Sequence, residues 1–161
     1  MSYNLCDPAY YKIVDAEIVE DKKEYNLSRF HKAQEKDYET ALSEIKAGQK
    51  QSHWMWYVFP QLKGLGTSDM SDYYGIDGLD EAKEYLKDDV LRGRLIEISS
   101  ALLDLDTSDA KVVMGSPDHL KLRSSMTLFT LADPEEDVFE KVLDKFYEGK
   151  LDPRTLKIIE Q

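Results

Sequence analysis

The chain has 161 residues, of which 42% are hydrophobic, and a formal net charge of −11 at pH 7. This length and composition predict one domain around a single hydrophobic core. The acidic balance argues against nucleic-acid polymers and anionic membranes as partners, because both bind to basic surfaces, and no apolar run approaches the roughly 20 residues that cross a bilayer.

Residues 1–26 give the weakest structural signal. Two short apolar segments, residues 10–14 and 16–19, are compatible with strands or with one helix. We interpret residues 1–26 as a partly ordered extension that precedes a single helical domain over residues 27–161. The extension lacks the basic and apolar regions of a secretion signal, and its Cys6 is the only cysteine of the chain. A cytoplasmic location is therefore expected.

From residue 28 onward the pattern is helical. Ser28 is expected to cap a helix from Arg29 to about Ala47, which Gly48 would end. Residues 110–114 are a short apolar segment. Further helix starts are predicted at Thr67 or Ser68, Asp77-Gly78, Asp88 or Asp89, Ser116-Pro117, Asp133-Pro134 and Asp152-Pro153. The pattern therefore predicts the all-α class, as a single compact domain of seven or eight helices.

Residues 49–68 are unusual because they contain both tryptophans and no acidic residue, although the chain has 32 acidic residues. A stretch of matched composition would contain about four. Residues 54–59 are apolar on every face, which predicts burial on all sides. Aromatic residues at this density usually belong to a core, but they also form walls for planar ligands. The residues that could provide an aromatic wall with a polar group are His53, Trp54, Trp56, Tyr57 and Gln61.

The helix predicted within residues 115–131 has apolar residues on two opposite faces, which is typical of a central helix. Between these faces, Lys121 lies on one edge with Ser124 and Ser125, and Arg123 lies on the other with Thr127 and Thr130. A buried cation needs a partner. The two cations are therefore expected either to pair with acids such as Asp118 or reach the surface, or to hold a ligand anion near the helix N-terminus.

Other chemistries have little support in the sequence. Residues 64–68 lack the lysine and the spacing of a phosphate-binding loop. His31, His53 and His119 do not have metal-ligand spacing, so we predict no metal and no cofactor. If the protein is an enzyme, it would be a metal-free hydrolase or transferase on a nucleotide or an ADP-ribose-like substrate. His53 or His119 would then carry the proton, and His53 is the candidate catalytic residue.

The segments Ser52–Gly66 and Gly115–Phe129 resemble two signatures of a bacterial family, domain-of-unknown-function family 1810. The resemblance extends from about Leu27 to Leu156 and implies a mainly helical cytoplasmic domain of uncharacterised function. The signature positions are His53, Trp54, Trp56, Phe59, Pro60, Gln61, Gly64, Gly66, Lys121, Arg123, Ser124, Ser125 and Thr127.

Our leading hypothesis is that residues 53–66 and 116–127 meet in a pocket for a small anionic ligand, nucleotide-like or phosphorylated. The alternative is a protein–protein interaction module whose aromatic stretch 54–59 forms an exposed groove. A third possibility is a purely structural role for both segments, with Arg123 in an internal salt bridge. The predicted ligand-binding residues are Trp54, Trp56, Gln61, Lys121, Arg123, Ser124, Ser125 and Thr127.

Overall fold

The structure is a computed structural model that describes residues 23–160. Within this range the protein is all-α, as predicted, and has no strand. Expectations for residues 1–22, including Cys6, lie outside the described residues. None of the helices in residues 23–160 has the length and hydropathy to cross a membrane. The helices are α1 Ser28–Lys46, α2 Met55–Val58, α3 Asp69–Tyr73, α4 Gly78–Lys87, α5 Asp89–Leu103, α6 Ala110–Met114, α7 Asp118–Ala132, α8 Val138–Tyr147 and α9 Pro153–Glu160.

Several helix ends follow the predicted capping signals. The Ser68 hydroxyl accepts a hydrogen bond from the Ser71 N–H at the start of α3. The Asp88 carboxylate accepts from two main-chain N–H groups at the start of α5. Gly48 follows α1 with a φ of 85°, a left-handed conformation that glycine adopts without steric cost.

Two predicted serine caps are wrong, and the helix start predicted at Asp133-Pro134 lies too early, because α8 begins at Val138. Ser28 is the first residue of α1, and its hydroxyl donates to Asn26 Oδ1 at 2.6 Å instead of accepting from the helix. Pro117, which follows a cis peptide bond, precedes α7 without a side-chain cap, so Ser116 does not cap this helix. Residues 110–114, expected only as an apolar segment, form α6 because the Asp109 carboxylate caps them.

Helix α7 lies at the centre of the domain, as its two apolar faces predicted. It contacts α4, α6, α8 and α9. Leu122, Met126 and Phe129 are fully buried. The centroid of the Phe129 ring lies 5.2 Å from the centroid of the Tyr85 ring. Leu120 differs from the prediction, since it is 54% exposed. The first turn of α7 therefore reaches the surface, while residues 124–129 are buried.

Residues 63–75, which we call the excursion, leave the helical core and return to it. The base of the excursion is closed by hydrogen bonds from the Lys63 N–H to the Ile76 carbonyl and from the Ile76 N–H to the Gln61 carbonyl, both at 2.9 Å. Gly75 lies at this base, where a Cβ would stand 2.7 Å from Lys63 Cα. Only glycine therefore fits this position without moving main-chain atoms.

Gly75→Ala is expected to lower the free energy of unfolding by about 1–2 kcal/mol, because the added methyl group meets backbone that cannot move freely. Gly93→Ala in α5 is the control, since a Cβ there meets nothing within 4 Å and alanine favours a helix. Urea unfolding of both variants provides the measurement. Equal stability of the two would contradict the steric explanation.

Candidate functional site

The aromatic segment 54–59 is buried, as predicted, with the exception of Trp56, which is partly exposed. Trp54 is 1% exposed, and its indole N–H donates to Glu44 Oε1 at 2.8 Å. The same carboxylate oxygen accepts from the Gln51 and Ser52 N–H groups at 2.8 and 2.9 Å. The Glu44 carboxylate of α1 thus binds the start of the segment that lacks acidic residues, and it fixes Trp54 in the core.

Three side chains of α7 fasten this helix to residues 150–152. The Arg123 guanidinium donates to the carbonyls of Lys150 and Leu151 at 2.9 and 2.8 Å, and not to a carboxylate, so the internal salt bridge considered for it is not formed. The Thr127 hydroxyl accepts from the Asp152 N–H at 2.9 Å. The Ser124 hydroxyl lies 3.2 Å from an Asp152 carboxylate oxygen. These contacts position the start of α9.

Lys121 belongs to a cluster of two cations around one carboxylate. Its Nζ lies 3.6 Å from Asp118 Oδ1, which confirms the expected partner. The other oxygen of Asp118 lies 2.9 Å from Lys50 Nζ, whose side chain is only 7% exposed. The Lys121 ammonium also lies 5.5 Å from the centroid of the Trp56 ring, within cation–π range. Asp118 therefore shares its charge between two lysines.

Two adjacent recesses lie where the two sequence segments meet. The larger, here called the cleft, has a volume of about 290 Å³ and is bounded by the starts of α7 and α9 and by the excursion. The smaller, here called the inner recess, has about 10 Å³, room for about one water molecule. Gln61 and Lys121 line both. The cleft is otherwise lined by Leu65, Gly66, Pro117, Leu120, Ser124, Asp152 and Arg154, and the inner recess by Met55, Trp56, Phe59, Ser71, Tyr74 and Gly75.

Arg154 is a cleft residue that the sequence analysis did not select. Its guanidinium donates to the Leu65 carbonyl at 3.1 Å, and no carboxylate within residues 23–160 lies in ion-pair distance of it. The neighbouring Asp152 carboxylate accepts from the Thr155 N–H and hydroxyl at 2.9 and 2.6 Å. The only available signal was the position of Arg154 within the resemblance, directly after Asp152-Pro153.

The predicted site residues fall into two groups. Four of them line the recesses: Trp56, Gln61, Lys121 and Ser124. The other five line neither recess. His53 is exposed, and Ser125 is fully buried without a hydrogen-bond partner in the described range. Trp54, Arg123 and Thr127 hold the fold through the contacts given above. No three histidine, cysteine or acidic side chains of residues 23–160 are grouped so as to hold a metal ion.

These features define a helical domain with a cleft at the start of its central helix, lined by Lys121, Arg154 and Asp152. The chain belongs to the family described as "Protein of unknown function (DUF1810)", which matches residues 24–159. The chain is similar to the conserved hypothetical protein Rv1873 from Mycobacterium tuberculosis, whose crystal structure it matches with 42% identity and a TM-score of 0.82, over 84% of this chain and 96% of that one. No curated protein matches the chain.

Proposed function

We propose that the cleft binds a small anionic ligand, nucleotide-like or phosphorylated. The observation that carries the proposal is the presence of Lys121 and Arg154, from different helices, in the lining of one cleft. Arg154 has no carboxylate partner in the described part of the chain, and Lys121 shares its carboxylate with Lys50. The two side chains therefore retain positive charge for a ligand, and a guanidinium suits phosphate or carboxylate oxygens.

The ends of two helices add to this electrostatic field. Pro117, Leu120 and Lys121 belong to the start of α7, and Asp152 and Arg154 belong to the start of α9. Helix N-termini carry partial positive charge and favour anions. The Asp152 carboxylate opposes this field, but its Oδ2 already accepts hydrogen bonds from Ser124 and Thr155. The cleft volume of about 290 Å³ lies at the lower end of the range for small-molecule sites.

Burial weighs against the alternative of a protein-interaction groove formed by residues 54–59. Trp54, Val58 and Phe59 are at most 2% exposed, and Trp56 alone of this segment is partly exposed. A partner would therefore meet a single aromatic ring, which is much less than a specific interface needs.

Inorganic phosphate and adenosine monophosphate (AMP) are expected to shift amide NMR signals around the cleft saturably, and Arg154→Met is expected to weaken their binding about tenfold through loss of a charge-assisted hydrogen bond. Lys141→Met is the matched control, because Lys141 is an exposed lysine that pairs with Asp137. It should leave the affinity unchanged. Absence of saturable shifts at millimolar concentrations, or equal losses in both variants, would contradict the proposal.

A further inference from the structure

The two tryptophans differ in the state of their indole N–H groups. Trp54 Nε1 donates to Glu44 Oε1 at 2.8 Å. Trp56 Nε1 is buried, yet it has no acceptor among residues 23–160. An indole offers one donor and no acceptor, and nearly all buried polar groups in folded proteins are paired. The Trp56 N–H therefore has no acceptor among residues 23–160, and a water molecule or a ligand can supply one.

Trp56 lies beside the proposed ligand site. It lines the inner recess, which shares Gln61 and Lys121 with the cleft. The Lys121 ammonium lies 5.5 Å from the centroid of its ring. A small molecule at this place can therefore reach the ammonium and the exposed part of the Trp56 ring. Nε1 itself is enclosed, so the N–H reaches such a molecule when the partly buried side chain turns toward it.

Two other buried polar atoms lack partners, the hydroxyl oxygens of Ser125 and Thr130. Both residues lie inside α7, where a change of side-chain rotamer can bring a hydroxyl to the carbonyl one turn earlier. The Trp56 indole has no such local acceptor. Of the three unpaired groups, the Trp56 indole N–H is therefore the one that indicates a ligand.

We propose that Trp56 is the specificity-determining residue of the anion site. This inference rests on the proposed function. Lys121 and Arg154 hold the phosphate of the ligand, and the Trp56 indole N–H donates to a carbonyl oxygen or ring nitrogen in its body. The preferred ligand class is therefore a phosphate monoester with a hydrogen-bond acceptor near the phosphate, as in a mononucleotide, over inorganic phosphate alone.

The two indole N–H signals in a ¹H–¹⁵N NMR spectrum test this inference, with AMP and inorganic phosphate as probes. Trp54→Phe and Trp56→Phe identify the signals. AMP is expected to move the Trp56 indole proton downfield and to leave that of Trp54 in place, because only Trp56 gains an acceptor. Phosphate should move the amides of Lys121 and Arg154 without moving the Trp56 indole proton.

Trp56→Phe should weaken AMP about tenfold, the value of one hydrogen bond, and leave phosphate affinity unchanged. Both probes are titrated into the same variant, so a partial loss of folding affects both equally and does not imitate the effect. Cleft amides that respond to AMP while the Trp56 indole proton stays in place would overturn this inference and leave the proposed function standing. Cleft amides that respond to neither probe would overturn both.

Discussion

Replacing Arg29 by Met is expected to lower the free energy of unfolding by about 3–5 kcal/mol, because it leaves a buried carboxylate without its counter-charge. The Arg29 guanidinium lies 2.9 Å from Glu81 Oε2, and the two side chains are 8% and 3% exposed. The guanidinium also donates to the carbonyls of Tyr73 and Gly75 at 2.9 and 3.0 Å. The substitution thus removes an ion pair and two tertiary hydrogen bonds.

Two further variants distinguish the loss of the buried ion pair from the general effect of replacing an arginine by methionine. Arg92→Met removes a pair with Asp133 and Glu136 in which the arginine is 31% exposed, so a loss of at most about 1 kcal/mol is expected. Arg29→Met combined with Glu81→Leu should be more stable than Arg29→Met alone, because no unpaired charge remains buried. Urea unfolding measures all three. A double variant as unstable as the single one would show that the carbonyl contacts dominate.

Replacing Glu44 by Gln is expected to lower the free energy of unfolding by about 2–3 kcal/mol at pH 7. Burial by itself would raise the pKa of Glu44. Hydrogen bonds from Ser52, Gln51 and Trp54 outweigh it and lower the pKa from its ordinary value of 4.5 to about 2. These donors favour the carboxylate, and an amide replaces it with a weaker acceptor that carries two N–H groups of its own.

The pH dependence of this effect has a defined sign. Because the pKa of Glu44 is lower in the folded state, the unfolded chain takes up the proton first as the pH falls. The stabilisation is fully present above about pH 4.5 and disappears toward pH 2. Wild type and Glu44→Gln should therefore differ constantly between pH 7 and 5 and converge below pH 4.5, in urea unfolding at each pH. A difference that persists to pH 2 would contradict the assignment to the carboxylate.

Local signals predicted the helices, apart from the caps at Ser28 and Ser116, but they could not show which distant residues meet. Ser68, Asp88 and Gly48 act on their own helix ends, so their types and positions were sufficient. The burial of Glu81 was not predictable, because a carboxylate in α4 is expected at the surface. Its charge is compensated by Arg29, far away in sequence, and its other oxygen accepts from the Asp77 N–H at 2.7 Å.

The same distinction applies to the candidate site. The two unusual segments were predicted to meet, and Trp56, Gln61 and Lys121 line the recesses between them. The sequence could not show that Arg123 turns to the carbonyls after α8. Nor could it show that Arg154, from the last helix, reaches the Leu65 carbonyl. Composition marks a segment as unusual, but only the tertiary fold decides which cations share a cleft.

The excursion has a consequence for how relatives of this protein can diverge. Its base is closed by main-chain hydrogen bonds between residues 61–63 and Ile76, and α3, within it, has no buried side chain. The exposed side chains of residues 69, 70, 72 and 73 can therefore change without disturbing the core, while the Tyr73 carbonyl must stay in place to accept from Arg29. Leu65 and Gly66, at the start of the excursion, line the cleft. Changes near Leu65 and Gly66 would thus alter the lining of the cleft while the helical core stays the same.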